Sequence, residues 1–375
     1  MSGRVVIITG ANSGIGYKTA EYLCEAGDNV YLACRNEERG KAAVDKIKAK
    51  NPQALAHYLP LDLSNKESIE QFVVKFHEEG KKIQVLINNA AVALSMKDPK
   101  RQLTNEGMEL MMGTNFIGHF YLTHLLLDDL KKTGEETGNV RVLNVTTALH
   151  DGSQSKGRQF KDVDMDDLFL VNSGAYCGGQ AYKNSKAALI MFTYELARLL
   201  EGTGVSVNCV CPGFVPKTQL YRQNSAPKRF FDRYVMGGML KFLNTTTSVD
   251  KAANIMFNFA DDEKYKGVTG KYYCDNREAD SSAETKDEEK QKKLWQLAGG
   301  YLKIEGYEPL EIPEPPPEPE PVPEKKEEEK PAESKEGDGE KKEEDGKEEK
   351  KDEEKKDETE KTEEKEPEDK EEKKE

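Results

Sequence analysis

Apolar and polar positions alternate in a regular pattern along the first 310 residues of the chain. Short, nearly continuous apolar runs are separated by longer stretches in which apolar residues recur every three to four positions, as on one face of a helix. The apolar runs predict buried strands at 5–9, 30–33, 56–61, 85–88, 140–146, 205–210 and 271–274. Strands that alternate with helices build a doubly wound parallel sheet, whose ligands bind at the carboxyl ends of the strands. We therefore predict one α/β domain spanning residues 1–310.

Residues 311–375 break this pattern. Of the 70 acidic residues in the chain, 31 lie in this segment, and its only apolar side chains besides proline are Ile312, Val322 and Ala332. A segment that cannot bury apolar surface cannot offset the entropy lost on ordering, so we expect a disordered acidic tail. Its charge argues against binding to nucleic acid or anionic lipid, and leaves open a solubilising segment or a docking segment for a basic protein partner.

A glycine-rich segment at 9–16 follows the first strand and precedes a predicted helix. Because glycine has no Cβ, the backbone there can approach a ligand closely, and the start of the helix offers unpaired N–H groups to a phosphate. The segment predicts a Rossmann-type dinucleotide site, and a glycine-rich turn that binds no ligand is the alternative. The candidate binding residues are Gly10, Asn12, Ser13, Gly14, Ile15 and Gly16.

The end of the second strand indicates which nicotinamide nucleotide would fit. A carboxylate there favours NAD by accepting hydrogen bonds from the ribose 2′-hydroxyl, whereas an arginine pairs with the 2′-phosphate of NADP. The sequence 31–35 contains no carboxylate and ends in Arg35. We expect NADP rather than NAD, and a solvated arginine at a helix start is the alternative.

Tyr182 and Lys186 lie four residues apart at the start of a strongly helical stretch that runs to residue 200. This spacing places the phenol and the ammonium on one face of the helix. A phenol ordinarily has a pKa near 10, and a neighbouring cation lowers that pKa by favouring the phenolate. The pair is therefore a candidate for acid-base chemistry near neutral pH.

Five motifs occur in an order that resembles the short-chain dehydrogenases/reductases. They are the glycine turn, the 88–90 turn, Asn115 with Gly118, the Tyr182/Lys186 pair and Pro212-Gly213. The resemblance covers about residues 4–300, and segments such as 32–36 and 270–273 are similar to the retinol dehydrogenase-like branch. The sequences at 181–186 and 212–220 also resemble light-dependent protochlorophyllide oxidoreductases.

The resemblance implies roles for four catalytic residues. Tyr182 would be the general acid/base, and Lys186 would bind the nicotinamide ribose and lower the pKa of Tyr182. Thr147 would polarise the substrate carbonyl, and Asn115 would hold a water molecule in the proton relay. Further cofactor contacts are implied at Asp62, Leu63, Asn89, Ala90, Pro212, Gly213, Val215 and Thr218.

Three positions depart from the family pattern. Thr147 stands where serine is usual, so it keeps the hydroxyl but adds a methyl group. Ala91 replaces a glycine, which would crowd the cofactor if the backbone there requires a positive φ. Lys217 occupies the place of a usual threonine or serine, with Thr218 one position later.

Residues 214–248 contain many large apolar side chains among lysines and arginines, at the place where the family carries a substrate lid. They could line a pocket for a lipophilic substrate, contact a membrane surface or pack on their own domain.

The segment between Thr147 and Tyr182 is expected to form a surface excursion beside the site. No metal site is predicted, because the histidines lack ligand spacing and the acidic run 162–167 lacks the glycine and glutamate of a calcium loop.

These observations lead to one hypothesis and two alternatives. The chain is expected to be an NADP-dependent oxidoreductase that transfers hydride between nicotinamide and a lipophilic alcohol, ketone or aldehyde, as the retinol dehydrogenase-like resemblance implies. A catalytically weakened nucleotide-binding protein whose tail recruits a partner, and a light-driven pigment reductase, are the alternatives. We also expect reduced cysteines and a cytoplasmic location. Helices equivalent to 107–132 and 182–200 often form dimers in family members, which leaves the oligomeric state of this chain open between a monomer and a homodimer.

Overall fold

The computed structural model describes residues 3–94, 100–152, 160–172, 174–215 and 247–314. The chain divides into two units, Met1–Glu318 and Pro319–Glu375. Every described residue belongs to the first unit, so the predicted tail lies outside the described residues apart from its first four positions. Ile312 packs against the core, two residues beyond the predicted end of the domain.

The first unit is built on an eight-stranded sheet in the order β3-β2-β1-β4-β5-β6-β7-β8. Strands β1 to β7 are parallel, and β8 pairs antiparallel with β7. The strands are β1 (Val5–Thr9), β2 (Asn29–Cys34), β3 (Leu55–Pro60), β4 (Ile83–Asn88), β5 (Val140–Val145), β6 (Val205–Cys211), β7 (Lys271–Cys274) and β8 (Arg277–Glu278). The predicted doubly wound α/β fold is confirmed, and only the two-residue β8 has no counterpart among the predicted strands.

Helices connect the strands and cover both faces of the sheet. They are α1 (Gly14–Glu25), α2 (Glu37–Lys50), α3 (Lys66–Glu78), α4 (Leu110–Met112), α5 (Gly118–Leu125), α6 (Leu127–Thr137), α7 (Gly178–Leu199), α8 (Val249–Asp261), α9 (Ala283–Lys286) and α10 (Glu288–Tyr301). Short 3-10 turns lie at Ala148–His150 and Glu263–Tyr265, and a π-helical turn at Gly113–Ile117 joins α4 to α5.

Two apolar cores lie on opposite faces of the sheet. One contains residues of α3, α5, α7 and α10, and the other contains residues of α1, α2 and α8. Strand residues alternate between the two cores, so that Ile7 faces the first and Ile8 the second. This burial on both faces explains why the strands read as continuous apolar runs.

Three sequence expectations about helices and loops need correction. The single helix expected at 107–132 is divided by the π-helical turn and by a break at Leu126. The helix that carries Tyr182 begins at Gly178, one turn earlier than expected. The segment before it is not simply a surface excursion, because Leu168 and Phe169 are buried in the core.

Within the described residues, no helix combines the length and apolar character that crossing a bilayer requires. All six cysteines are free thiols.

Candidate functional site

A cleft of about 790 Å³ opens at the carboxyl ends of the parallel strands. The ends of β1, β2, β4, β5 and β6 meet there because parallel strands place their carboxyl ends at one edge of the sheet. Seventeen of the nineteen predicted site residues line this cleft. Asn115 lies behind its wall, and Thr218 lies outside the described residues.

The glycine turn forms one wall of the cleft through its backbone. Gly10 and Gly14 have positive φ angles of 67° and 59°, a conformation that L side chains rarely adopt. A Cβ on Gly16 would lie 2.5 Å from Asn89 Nδ2 and 2.9 Å from the Gly10 carbonyl oxygen. Ser13 caps α1 without a side-chain hydrogen bond to the helix, which leaves the first N–H groups of α1 available to an anion.

A buried network fixes the turn after β4 against the end of β1. The backbone N–H groups of Asn89 and Ala90 both donate to Thr9 Oγ1 at 2.9 Å, and the Asn89 amide donates to the Thr9 carbonyl oxygen at 2.8 Å. His119 Nε2 lies 2.9 Å from the same Thr9 hydroxyl. Burial lowers the pKa of His119 to about 3, so the imidazole is neutral and accepts the Thr9 proton.

The opposite wall carries the side chains of β5 and α7. Tyr182 and Lys186 both line the cleft one helical turn apart, as their spacing predicted. Lys186 Nζ donates to the Val145 carbonyl oxygen at 2.8 Å, and burial lowers its pKa to about 8. Thr147 follows β5 and accepts a hydrogen bond at Oγ1 from the Leu149 N–H, which leaves its own hydroxyl hydrogen free to be donated.

His150 holds the turn that carries Thr147. Its Nδ1 donates to the Thr147 carbonyl oxygen at 2.7 Å, and its Nε2 accepts from the Ser282 N–H at 3.0 Å. Burial lowers the pKa of His150, which favours the neutral ring that both bonds require. No sequence pattern indicated this role, because Ser282 lies far along the chain.

Asn115 supports the cleft from behind. Its side chain accepts from the Val92 N–H at 2.8 Å and donates to the Val92 carbonyl oxygen and to Ser185 Oγ, each at 3.0 Å. The π-helical turn places the neighbouring Thr114 in the cleft wall. Thr114 Oγ1 is buried without a hydrogen-bond partner within the described part of the chain. A buried hydroxyl in this state is suited to a bound ligand or water.

Three charged side chains line the cleft near the end of β2. Arg35 Nη1 lies 3.7 Å from Asp62 Oδ2, and both residues line the cleft as predicted. Arg39, in the first turn of α2, lines it as well. The sequence analysis missed Arg39, although its four-residue spacing from Arg35 was a visible signal.

Ala91, which replaces a glycine of the family pattern, has no positive φ, so the alanine at this position causes no backbone strain.

The segment expected to form a substrate lid is described only at its ends. The Thr247 N–H donates to the Phe214 carbonyl oxygen at 2.8 Å, which joins the two ends at the cleft. Gly213 has a φ of 87°, and a Cβ there would lie 2.3 Å from Thr247 Oγ1. Residues 216–246, which include Lys217 and Thr218, lie outside the described residues.

The family model of the short chain dehydrogenases matches residues 4–153 and 171–229. The chain belongs to this family. It is 34% identical to retinol dehydrogenase 13 of Homo sapiens over 84% of this chain and 88% of that protein. It is 37% identical to polyprenol dehydrogenase of Homo sapiens over 78% of this chain and 83% of that protein. The crystal structure of an uncharacterised protein from Mycobacterium Paratuberculosis matches with a TM-score of 0.57 at 26% identity, over 80% of this chain and 93% of that one.

Membership of the short-chain dehydrogenases makes the chain an oxidoreductase that acts on CH–OH or carbonyl groups with NAD or NADP. The cleft fits such a cofactor in three respects. The glycine wall has no space for a Cβ at Gly16, and the start of α1 faces the cleft. The Thr114 hydroxyl, which has no hydrogen-bond partner among the described residues, lies in the cleft wall. The predicted resemblance to the retinol dehydrogenase-like branch is confirmed as well.

Proposed function

We propose that this short-chain dehydrogenase uses NADP and acts on a lipophilic alcohol, ketone or aldehyde. The observation that carries the choice of cofactor is Arg35 at the end of β2, in the cleft wall. The choice of substrate is supported by the apolar surroundings of Tyr182 and by the relatives that are named for retinol and polyprenol.

NADP is favoured by the charges at the end of β2. Arg35 is 55% exposed at its side chain, so the guanidinium can turn toward a 2′-phosphate while Asp62 remains nearby. Arg39 lies in the first turns of α2 and lines the same part of the cleft. Two guanidinium groups can bind a phosphate dianion through several charge-assisted hydrogen bonds.

A lipophilic substrate is favoured by the side chains that pack around the catalytic tyrosine. Tyr182 belongs to a small apolar cluster whose members include Val92, Leu94, Met111 and Leu170, with Leu149 packed against it. Val92 and Leu149 also line the cleft. An apolar wall beside one polar reacting group is the usual composition of a site for an apolar ligand.

The proposed mechanism assigns one task to each polar residue. When bound, the nicotinamide supplies or accepts the hydride. The Tyr182 hydroxyl donates a proton to the carbonyl oxygen during reduction and accepts it during oxidation. The Thr147 hydroxyl donates a hydrogen bond to the same oxygen as negative charge develops there. The Lys186 ammonium favours the phenolate of Tyr182, and Asn115 fixes the loop at Val92 and the helix at Ser185.

The proposal is tested by replacing Arg35. We expect Arg35→Ala to lower the preference for NADPH over NADH, measured as the ratio of their kcat/KM values, by about ten- to a hundredfold, the usual cost of a lost charged pairing. Lys41→Ala is the matched control, because Lys41 lies on α2 but pairs with Glu37 and does not line the cleft. An unchanged ratio, or a wild-type enzyme that prefers NADH, would contradict NADP as the cofactor.

A further inference from the structure

Two cysteines from distant parts of the sequence end neighbouring strands at the cleft. Cys211 is the last residue of β6, and Cys274 is the last residue of β7. They are register partners in the parallel pairing of the two strands. Adjacent strands lie about 4.8 Å apart, and a disulfide spans Cα atoms that are about 4.4 to 6.8 Å apart. The sheet therefore holds the two thiols within bonding reach.

The surroundings of the pair distinguish the two thiols. Cys211, Tyr272 and Cys274 belong to one small cluster on the same face of the sheet, so Cys274 has both a thiol and a phenol beside it. The neighbouring Cys211 thiol, and after it the Tyr272 hydroxyl, lower the pKa of Cys274, so Cys274 is the thiol of the pair that ionises more readily. Cys211 is buried, and the neighbouring Cys274 and then burial raise its pKa, so Cys211 keeps its proton more readily than Cys274 does.

The pair can be reached from solvent. Both cysteines line the cleft, and Cys274 is partly exposed whereas Cys211 is 3% exposed. A small polar oxidant that enters the cleft would therefore meet the Cys274 sulfur first. Reactive cysteines combine this exposure with a stabilised thiolate and often have a second thiol in contact.

We propose that Cys211 and Cys274 form an oxidation site that hydrogen peroxide converts into a disulfide. The Cys274 thiolate attacks one peroxide oxygen, the O–O bond breaks, and Cys274 becomes a sulfenic acid while hydroxide leaves. The Cys211 sulfur then attacks the Cys274 sulfur, its proton passes to the departing oxygen, and water leaves. Two thiols are oxidised, and one peroxide is reduced.

Other cysteines of the chain lack one or more of these features. Cys34 ends β2 and lines the same cleft, but its register partner on β3 is Pro60 and burial raises its pKa to about 12. Cys209 is fully buried, with its thiol 3.5 Å from the Lys271 carbonyl oxygen. Cys34 is therefore the matched control, because it shares the cleft but not the partner thiol.

The experiment treats the full-length protein with hydrogen peroxide, blocks the remaining thiols with N-ethylmaleimide and maps the peptides without reduction. We expect a peptide pair linked through Cys211 and Cys274 that dithiothreitol separates. In Cys211→Ser, dimedone should trap a sulfenic acid at Cys274 at least about tenfold faster than at Cys34, in line with its larger thiolate fraction. In Cys34→Ser, the Cys211–Cys274 link should form at the wild-type rate.

Circular dichroism of each variant checks that it is folded. The proposal is overturned if folded wild-type protein yields no link between these peptides, or if Cys34 is oxidised as fast as Cys274. These measurements use neither cofactor nor substrate, so their outcome is independent of the proposed NADP-dependent activity.

Discussion

The two walls of the cleft present different chemical groups to a ligand. The wall of β1, α1 and β4 presents mainly backbone, with glycines at 10, 14 and 16 and the N–H groups at the start of α1. The wall of β5, α7 and β6 presents side chains that can exchange protons, donate hydrogen bonds or react as thiols. We expect the first wall to bind a group common to all dinucleotides and the second to determine which reaction follows. Substitutions in the two walls should therefore change different measurements.

The largest effect is expected for Tyr182→Phe in the side-chain wall. Removing the proposed acid/base should lower kcat by about 10²- to 10⁴-fold, while the dissociation constant of NADPH stays nearly unchanged. Tyr194→Phe is the control, since Tyr194 lies on the same helix and its hydroxyl contacts Ser281 Oγ at 2.8 Å. If Tyr182→Phe lost nucleotide binding together with turnover, Tyr182 would serve binding as well as reaction. The proposed division between a binding wall and a reaction wall would then be wrong.

Thr147 allows the hydroxyl and the methyl group to be tested separately. Thr147→Val keeps the shape but removes the donor, and should lower kcat by about 10²-fold. Thr147→Ser keeps the donor, so its activity should stay close to that of the wild type. A large gain in Thr147→Ser would instead support the alternative that the threonine has weakened catalysis in this chain.

The charge of Lys186 predicts a pH dependence. Burial lowers the pKa of Lys186 to about 8, so the ammonium is present below this pH and lost above it. Carbonyl reduction also needs protonated Tyr182, and both requirements favour low pH. We expect kcat/KM for reduction to fall by up to about tenfold for each pH unit above pH 8, in a profile measured with saturating NADPH. A profile that stayed flat to about pH 10 would contradict a role for the Lys186 charge.

A smaller effect, confined to binding, is expected in the backbone wall. Gly16→Ala places a Cβ 2.5 Å from Asn89 Nδ2, and should weaken NADPH binding by about tenfold because the wall must move. Gly80→Ala is the control, since Gly80 has a φ of 60° and open space around it. That variant should lower stability by about 1 kcal/mol through backbone strain and leave nucleotide affinity unchanged. Equal losses of affinity in both variants would indicate general destabilisation.

The sequence predicted the seven parallel strands, and seventeen of its nineteen candidate site residues line the cleft. It could do so because each motif is local. The glycine turn, the Tyr182/Lys186 pair and Arg35 are each defined by a strand end and a few neighbouring residues. Strand order then brings these local motifs to one edge of the sheet, which the alternation of strands and helices already implied.

Other features depend on contacts between residues far apart in sequence. His150 meets Ser282, and buried Lys183 pairs with Glu284, only because α9 packs beside α7. The segment before α7 was expected at the surface, yet Phe169 packs against Tyr301 of α10. No local pattern reports such contacts, because they depend on where two distant elements meet.

The sequence alone determined that this chain forms a doubly wound sheet with a dinucleotide cleft, because periodicity and turn chemistry act over a few residues. The tertiary structure decided that Cys211 and Cys274 are neighbours, that Thr114 enters the cleft wall and that Asn115 lies behind it. Strand pairing sets the positions of the two cysteines, and a π-helical turn sets those of Thr114 and Asn115. Both the pairing and the turn form only when the separate strands and helices pack together.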